Sequence, residues 1–252
     1  MNIKAYKTRI LMPPKDDLLE AISDSIKTIP EGSILAIASK VVAIWQGRCV
    51  KKEGHSKSDL TIQEADMYLP RDFTPGGFVI HTIKNNIFAP SAGVDSSNGD
   101  GYYILWPLQP NKAAEEILAW AKEKYQVKKL GIIITDSHSI PLRRGVTGIS
   151  LGFAGFAPIK DYRGLNDIFE RKLIITQANL VDSLASAAVM LMGEGNEITP
   201  LALISDIPFV QFNGKNKKSD KKFSSLEVPI DEDLYGPFLK QAPWKKNHEN
   251  KG

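Results

Sequence analysis

The sequence predicts an α+β fold, and three features of the chain lead to that class. Short apolar segments typical of buried strands are mixed with amphipathic helices, without the sustained β-α-β rhythm of a doubly wound parallel sheet. Asn85 and Asn86 separate two strand-like segments, 77–83 and 87–90, as the turn of a β-hairpin does. The chain has no G-x-x-x-x-G-K-[ST] loop and no G-x-G-x-x-G sequence after a strand, which disfavours P-loop and Rossmann folds.

Before the hairpin, the pattern alternates between strand-like and helical segments. They are, in order, an extended segment at 3–12 ended by Pro13 and Pro14, a helix opened by Asp16 and Asp17, an apolar strand at 33–39, an undecided segment at 40–50, and a helix at 59–68 capped by Ser58. Residues 40–50 are apolar enough for either a strand or a short helix, and the sequence leaves that choice open.

After the hairpin, two helices carry the strongest periodicity. The predicted elements are a loop at 91–101, a helix at 111–125 with Asn111 as its N-cap and a buried stripe of Ala114, Ile117, Leu118 and Ala121, a strand at 130–135, an irregular segment at 161–170, a strand at 171–176, a helix at 179–192, a strand at 201–204 and a short helix at 231–239. Because helix 179–192 is rich in Ala and Ser, another element can approach it closely.

Composition and charge exclude several classes of protein. The 252 residues are 42% hydrophobic, enough for a large core, and 32 basic against 29 acidic residues give a net charge of +3. The basic surplus falls in 213–225 and 244–252, which we predict to be a flexible loop and tail. Since these lysines lie among Asn, Ser and Gly, we expect no binding to nucleic acid.

The chain is expected to be cytoplasmic. Its one cysteine, Cys49, cannot form an internal disulfide, which fits a reducing compartment. The N-terminal residues lack the apolar core of a signal peptide. No later run approaches the roughly 20 apolar residues that span a bilayer, so no membrane partner is expected.

Three loops share one design, in which an apolar segment runs into a glycine-containing turn that bears a carboxylate. They contain Asp95 in GVDSSN, Asp136 in ITDS, and Glu194 with Glu197 in MGEGNE. Glycine lets backbone N–H groups approach an anion, while carboxylates and the Ser137 hydroxyl are hard oxygen ligands for Mg²⁺ or Mn²⁺. Each loop alone is typical of an ordinary turn, but together they predict a site for a divalent metal and a polyphosphate.

The histidines indicate no further chemistry. The four residues of this type show no metal-ligand spacing, and His138 is predicted to be a solvated loop residue. No Ser, His and Asp set occurs in a nucleophile-elbow context, so zinc and acyl-enzyme chemistry are disfavoured.

Five motifs in order resemble the F420-0:gamma-glutamyl ligases. They are Ser39 and Lys40 before Gly47 and Arg48, AGVDSSN at 92–98, ITDS followed by LRRGVTG, DYRGLND at 161–167, and an Ala-rich helix ending in MGEGNEITP. They span 8–204, most of the chain. The resemblance implies an enzyme that joins glutamate through its amine to a deazaflavin coenzyme precursor, using GTP or another nucleoside triphosphate and Mg²⁺ or Mn²⁺, with K⁺ as an optional further ion.

The resemblance also implies roles for individual residues. It implies metal ligation by Asp95, Asp136, Ser137 and Glu194, and nucleotide contacts from Arg9, Ile10, Leu11, Met12, Ser39, Lys40, Asn98, Gly193, Glu194, Gly195, Asn196, Glu197, Ile198, Thr199 and Pro200. Family members are two-lobed, intertwined homodimers with the site in a groove at the interface, so residues 1–252 are expected to form one such unit.

Charge on a transferring phosphoryl group needs cationic partners. Lys40, Arg143 and Arg144 are the candidates to stabilise that charge. For the two arginines, a basic surface turn is an equally good interpretation of the sequence.

Two stretches depart from the usual family pattern. Where members often have SKIVSKAEGR, residues 39–48 read SKVVAIWQGR, with Ile44 and Gln46; where many have DTxGRPWRxG, residues 136–145 read DSHSIPLRRG, with Ser139, Ile140 and Leu142. These differences leave two alternatives open. One is a ligase that joins a different amino acid to a different small-molecule carboxylate, and the other is a nucleotide- or metal-binding protein without ligase activity.

Overall fold

Strands and helices alternate irregularly in the computed structural model, which describes residues 1–212 and 226–247. The strands are β1 (Asn2–Tyr6), β2 (Ser33–Ala38), β3 (Cys49–Lys51), β4 (Met67–Tyr68), β5 (His81–Lys84), β6 (Ile87–Pro90), β7 (Tyr102–Ile104), β8 (Leu130–Ser139), β9 (Val146–Ala154), β10 (Ile159–Asp161), β11 (Gln177–Asn179), β12 (Leu201–Ser205) and β13 (Lys245–Lys246). The α-helices are α1 (Leu18–Ser25), α2 (Ser39–Gln46), α3 (Lys57–Glu64), α4 (Pro110–Tyr125), α5 (Leu180–Met192) and α6 (Gly236–Leu239).

A five-stranded mixed sheet lies at the centre, in the order β1-β12-β2-β8-β9. The β2–β8 pair is parallel, and the other neighbours are antiparallel. A four-stranded sheet, β13-β4-β5-β6, and the pairs β3–β7 and β10–β11 lie outside it. This mixture confirms the predicted α+β class, while the division into two lobes stays a prediction.

Helices cover both faces of the central sheet. Because side chains alternate between the faces of a strand, Leu35 and Ile132 join the core formed with α1, α2 and α4, whereas Ile34 and Ile133 join the core under α5. All four side chains are fully buried. Strands buried on both faces read as continuous apolar runs, which is why β2 and the start of β8 were predictable.

The hairpin and two of the strongest helical predictions are confirmed. β5 and β6 pair across Asn85 and Asn86, which have φ of 50° and 59°. Asn179 caps α5 by accepting a hydrogen bond from the backbone N–H of Asp182 at 3.0 Å. α4 ends at Tyr125 as predicted.

Two helix boundaries differ from the sequence-based expectation. The open segment 40–50 divides into α2, which ends at Gly47 with φ of 73°, and β3. The predicted helix 59–68 is shorter in the structure, because α3 ends at Glu64 and Met67–Tyr68 pairs with β5 as strand β4. The N-cap of α3 is Ser56, not Ser58, because the Ser56 hydroxyl accepts a hydrogen bond from the backbone N–H of Asp59.

The predicted cap of α4 was also wrong. α4 starts at Pro110, so Asn111 already lies inside the helix, and its Oδ1 accepts a hydrogen bond from the backbone N–H of Phe153 at 3.0 Å. Leu118 is half-buried, and Ala113 takes its place on the buried stripe. The Asn111 side chain therefore binds the backbone of β9, and this tertiary contact, not helix capping, determines its role.

The largest difference concerns β9, because the sequence predicts no strand between residues 135 and 171. β8 continues four residues beyond its predicted end, and β9 pairs with it along most of its length. Two glycines of β9 allow α4 and α5 to pack against this strand, because a side chain at either position would collide with a helix backbone. A Cβ at Gly148 would lie 2.5 Å from the Ala185 carbonyl oxygen on α5, and a Cβ at Gly152 would lie 2.5 Å from the Pro110 carbonyl carbon on α4. The small residues of α5 therefore do permit a close approach.

The predicted strand at 171–176 is absent from the described residues. The pairing in this region joins β10 to β11 instead, on either side of that segment. Ile174 and Ile175 are 82% and 85% exposed, so no described part of the chain covers them as a strand would require.

The basic segments are only partly described. Residues 213–225 and 248–252 lie outside the described residues, whereas Lys245–Lys246 pairs with β4 and the Asn247 amide donates to the carbonyl oxygens of Ile62 and Gln63. α6 lies within the predicted helix 231–239. In the described part of the chain, every helix is too short or too polar to cross a bilayer.

Replacing Gly148 with Ala is expected to lower the free energy of unfolding by about 1–3 kcal/mol, because the new methyl group would meet the α5 backbone at Ala185 as well as the side chain of Val189. Denaturant unfolding followed by circular dichroism measures this. Val146→Ala, at an exposed position on the same strand, is the control and should change stability by less than about 1 kcal/mol. Equal effects of the two changes would contradict close packing at Gly148.

Candidate functional site

A cleft of about 760 Å³ opens at one edge of the central sheet. The carboxyl ends of the parallel strands β2 and β8 meet there, and this is where open α/β sheets commonly bind ligands. Five segments of the chain form its wall. They are 8–12 after β1, 38–44 at the start of α2, 95–100 before β7, 135–137 on β8, and 189–200 at the end of α5 and after it.

Lys40 provides the positive charge of the cleft. Its Nζ lies 2.7 Å from Asp95 Oδ2 and donates to the carbonyl and hydroxyl oxygens of Ser97, both at 3.0 Å. Burial alone would raise the pKa of Asp95, but the ammonium of Lys40 and the hydrogen bonds from Ser97 outweigh burial and hold that pKa below its ordinary value. Asp95 is therefore ionised at neutral pH.

Asp136 is the most strongly perturbed carboxyl group. Protein atoms surround its carboxylate closely although part of the side chain still reaches solvent, and this burial raises its pKa to about 6, with a further contribution from the charge of Asp95. Hydrogen bonds from the backbone N–H of Ser137, at 2.8 Å, and from the indole N–H of Trp106 act in the opposite direction. Asp136 loses its proton more easily once a cation is present.

The loop after α5 forms the facing wall. Burial raises the pKa of Glu194, the charges of Glu197 and Asp95 add to this, and a hydrogen bond with Ser137 and the charge of Lys40 oppose it. Asn98 Nδ2 donates to the Gly195 carbonyl oxygen at 3.0 Å and so ties this loop to the Asp95 loop.

Carboxylate and hydroxyl oxygens of the cleft are potential ligands for a metal ion. Within residues 1–212 and 226–247 no group of three or more His, Cys, Asp or Glu side chains is already arranged to hold a metal ion. However, Asp95, Asp136 and Glu194 line one cleft with the Ser137 hydroxyl, and the charge of Asp95 raises the pKa of both other carboxyls. Excess negative charge on hard oxygen atoms fits a divalent cation.

The residues predicted to contact a nucleotide line this cleft, with one exception. Those in the wall are Ile10, Leu11, Met12, Ser39, Lys40, Asn98, Gly193, Glu194, Gly195, Asn196, Glu197, Ile198, Thr199 and Pro200. Arg9 does not line it. Its guanidinium binds Asp16 at 2.8 Å and Glu20 at 3.0 Å, and its hydrogen bonds lower the pKa of Asp16 to about 2.

The structure does not bring Arg143 and Arg144 into the cleft. Both lie exposed in the turn between β8 and β9, beside a fully exposed Leu142, so within one chain they form the surface turn that the sequence allowed as an alternative. Ser139 and Ile140 lie exposed at the same end of β8. β8 continues for three residues past Asp136, to Ser139, so the turn that follows the strand lies away from Asp136.

The two departures in α2 have different surroundings. Ile44 is buried and lines the cleft, so an apolar side chain contributes to the wall there. The Gln46 side chain instead binds the backbone of Leu108. Its amide N–H donates to the Leu108 carbonyl oxygen at 3.1 Å, and its amide oxygen accepts from the Leu108 N–H at 2.8 Å.

Two features were missed or misjudged from the sequence. Trp106, which contacts Asp136, had no recognisable signal in the apolar segment that contains it. His138 is a half-buried residue of β8 and not a solvated loop residue; burial lowers its pKa, and its Nδ1 has no hydrogen-bond partner among the described residues. It lines a second cavity, of about 420 Å³, outside the main cleft.

Fold and cleft together define an α+β protein with an acidic small-molecule site at the ends of its parallel strands. The family model for F420-0:Gamma-glutamyl ligase matches residues 7–206, and the chain belongs to that family, as its motifs predicted.

Relatives named coenzyme F420:L-glutamate ligase resemble the chain over much of its length. The protein from Methanopyrus kandleri is 33% identical over 221 residues, which are 81% of this chain and 87% of the relative. The one from Archaeoglobus fulgidus is 29% identical over 246 residues, 92% and 95% of the two chains. The one from Methanococcus maripaludis strain S2 is 37% identical over 145 residues, 58% of each chain.

The raised pKa of Asp136 gives a pH-dependence of stability with a defined sign. An aspartate ordinarily titrates at 3.8, whereas folded Asp136 titrates at about 6, so between these values the folded chain binds more protons than the unfolded chain. The contribution of Asp136 to stability is complete below pH 3.8 and is lost as the pH rises through about 6. The Tm of the protein minus that of Asp136→Asn should therefore fall across this window, measured calorimetrically without metal. A constant difference would contradict the raised pKa.

Proposed function

We propose that the protein is a nucleotide- and divalent-metal-dependent amide ligase that adds L-glutamate, or another amino acid, to a carboxylate acceptor. The family and the named relatives support a precursor of coenzyme F420 as the acceptor and glutamate as the amino acid. We propose GTP as the triphosphate, as the sequence motifs imply. The observation that carries the proposal is the meeting of Asp95, Asp136, Ser137, Glu194 and Lys40 in one cleft of a member of this family.

The proposed reaction forms and breaks bonds in two steps. An oxygen of the acceptor carboxylate attacks the γ-phosphorus, and the nucleoside diphosphate leaves with the electrons of the broken P–O bond. The amine of the amino acid then attacks the acyl carbon of the resulting acyl phosphate; inorganic phosphate leaves and the nitrogen loses a proton. Water would hydrolyse the acyl phosphate, so the cleft has to exclude it.

The cleft residues have distinct proposed roles in this reaction. Lys40 places its ammonium beside Asp95, where it can also bind a phosphate oxygen. The loop 193–200 and residues 10–12 surround the nucleotide. Mg²⁺ or Mn²⁺, held by the carboxylates of Asp95, Asp136 and Glu194 and the hydroxyl of Ser137, would neutralise polyphosphate charge. This assignment explains why acidic groups with raised pKa values gather in one place.

One observation favours a second candidate within the ligases. Ile44 is buried in the cleft wall where many family members place a polar or charged residue, and an apolar wall changes which substrates fit. The second candidate is a ligase that joins a different amino acid or acceptor. Incubation with the deazaflavin precursor, GTP, Mn²⁺ and glutamate distinguishes the two: product supports the first candidate, and hydrolysis or ligation only with other substrates supports the second.

Replacing Asp136 with Asn should abolish metal-dependent turnover while leaving the fold intact, because a neutral amide cannot supply the anionic oxygen that a divalent cation needs. Phosphate release with GTP, Mn²⁺ and glutamate measures turnover, and EDTA should abolish it in the unchanged protein. Asp24→Asn, at an exposed position on α1, is the matched control and should retain full turnover. Normal turnover by Asp136→Asn would overturn the metal assignment. If the unchanged protein binds nucleotide but releases no phosphate under any condition, a binding protein without ligase activity is favoured.

We also propose that the expected homodimer forms through the apolar arm 162–176. This arm exposes Ile168, Phe169, Ile174 and Ile175, each more than 70% accessible in the single chain. Contiguous apolar surface of this kind commonly marks a protein–protein interface.

Ile175→Asp should convert the dimer to a monomer, because burying an unpaired carboxylate at an interface is unfavourable. Light scattering coupled to size-exclusion chromatography measures the molar mass. Leu234→Asp is the control, since Leu234 is also exposed, at 82%, but lies outside the arm. If both variants and the unchanged protein have the mass of one chain, the dimer proposal is wrong; if both variants stay dimeric, the interface lies elsewhere.

A further inference from the structure

Trp106 is the one aromatic side chain among the described residues that donates a hydrogen bond to a carboxylate of the cleft. Its indole N–H binds Asp136 Oδ2, while the backbone N–H of Ser137 binds Asp136 Oδ1. Each oxygen of the Asp136 carboxylate therefore has one fixed donor, and the carboxylate is held in the rotamer that lines the cleft. Charge-assisted hydrogen bonds of this kind are stronger than neutral ones.

Buried charges hold the indole itself in place. Trp106 is only 3% exposed, and its carbonyl oxygen accepts a hydrogen bond from Arg48 Nε at 3.3 Å. Arg48 binds Glu64 at 2.6 Å, and Glu64 also binds Lys84. Lys84 Nζ lies 5.8 Å from the centroid of the Trp106 ring, within the range of a cation–π interaction.

The Asp95 loop closes against the other side of the indole. A Cβ at Gly93 would lie 2.0 Å from Trp106 Nε1, so a residue with a side chain at position 93 would displace the ring. Because Gly93 precedes Asp95 by two residues, the indole contacts both the loop that carries Asp95 and the carboxylate of Asp136. It is thus placed to fix the two acidic elements relative to each other.

We infer that Trp106 is a positioning residue for Asp136, and that its indole N–H sets the carboxylate orientation needed for divalent-metal binding in the cleft. The metal part of this inference rests on the proposed function; the indole–carboxylate hydrogen bond does not. No role for Trp106 follows from the family motifs, since it lies outside all five of them.

Trp106→Phe tests the inference because it keeps an aromatic ring and removes only the donor and part of the ring. Mn²⁺ affinity, measured by electron paramagnetic resonance of free Mn²⁺, is expected to fall about 10–100-fold, the usual consequence of losing a residue that orients a metal ligand. Trp244→Phe is the matched control, because Trp244 donates its indole N–H to the Leu239 carbonyl oxygen, outside the cleft. It should leave Mn²⁺ affinity within about twofold. An unchanged Mn²⁺ affinity in folded Trp106→Phe would overturn the inference.

A metal-free measurement separates this inference from the proposed function. The chain has four tryptophans, so a ¹H–¹⁵N spectrum shows four indole signals, and the one lost in Trp106→Phe belongs to Trp106. Asp136→Asn should shift that signal more than the other three. If the unchanged protein does not bind Mn²⁺ but this shift is seen, the metal proposal fails and the hydrogen bond stands; if the Trp106 signal does not move, the inference fails.

Gly93→Ala provides a second variant in case Trp106→Phe does not fold. The added methyl group would push the indole away from Asp136 and should shift the Trp106 signal as well as weaken Mn²⁺ binding. Gly54→Ala is its control, because Gly54 also has a positive φ, 77°, but has open space around the position of a Cβ. It adds the same backbone strain without touching Trp106. A Trp106 signal that stays in place in Gly93→Ala would contradict the packing on which the inference depends.

Discussion

The parallel pairing of β2 with β8 is the constraint on which the rest of the structure depends. Both strands are buried on both faces, so their register is fixed by two hydrophobic cores at once. Parallel strands end at the same edge of a sheet, and this pairing therefore places Lys40, just after β2, next to Asp136 on β8. The loops that carry Asp95 and Glu194 complete a cleft whose base the two strands already define.

Electrostatics give this cleft its chemical character. Five carboxylates line it, those of Asp95, Asp100, Asp136, Glu194 and Glu197, and Lys40 compensates only part of their charge. Burial, with the charge of Asp95, raises the pKa of Asp136 and of Glu194, whereas Lys40 and Ser97 hold the pKa of Asp95 below its ordinary value. Perturbed carboxyl groups gathered in a cleft are typical of functional sites. This charge distribution is the physical basis of the proposal that a cation and an anionic polyphosphate bind here together.

Sequence reasoning succeeded where a signal was local and failed where a role depended on a distant contact. Continuous apolar runs identified β2 and the start of β8. Carboxylates that follow apolar segments identified Asp95, Asp136 and Glu194 as a set that the structure brings to one cleft. It failed at β9, because Gly148 and Gly152 look like loop residues until α5 and α4 are seen packed against them. Asn111 was taken for a helix cap because its partner, the backbone of Phe153, lies 42 residues away in the chain.

The sequence by itself determined the α+β class, the family and the residue types of the cleft, because strand and helix periodicity and short motifs depend on neighbouring residues. Only the tertiary structure decided which of those residues meet. It excluded Arg9 from the cleft, because two carboxylates on the α1 side bind its guanidinium, and it left Arg143 and Arg144 at the surface. It also added Trp106, since a hydrogen bond between residues 106 and 136 arises from packing, and no local pattern encodes that.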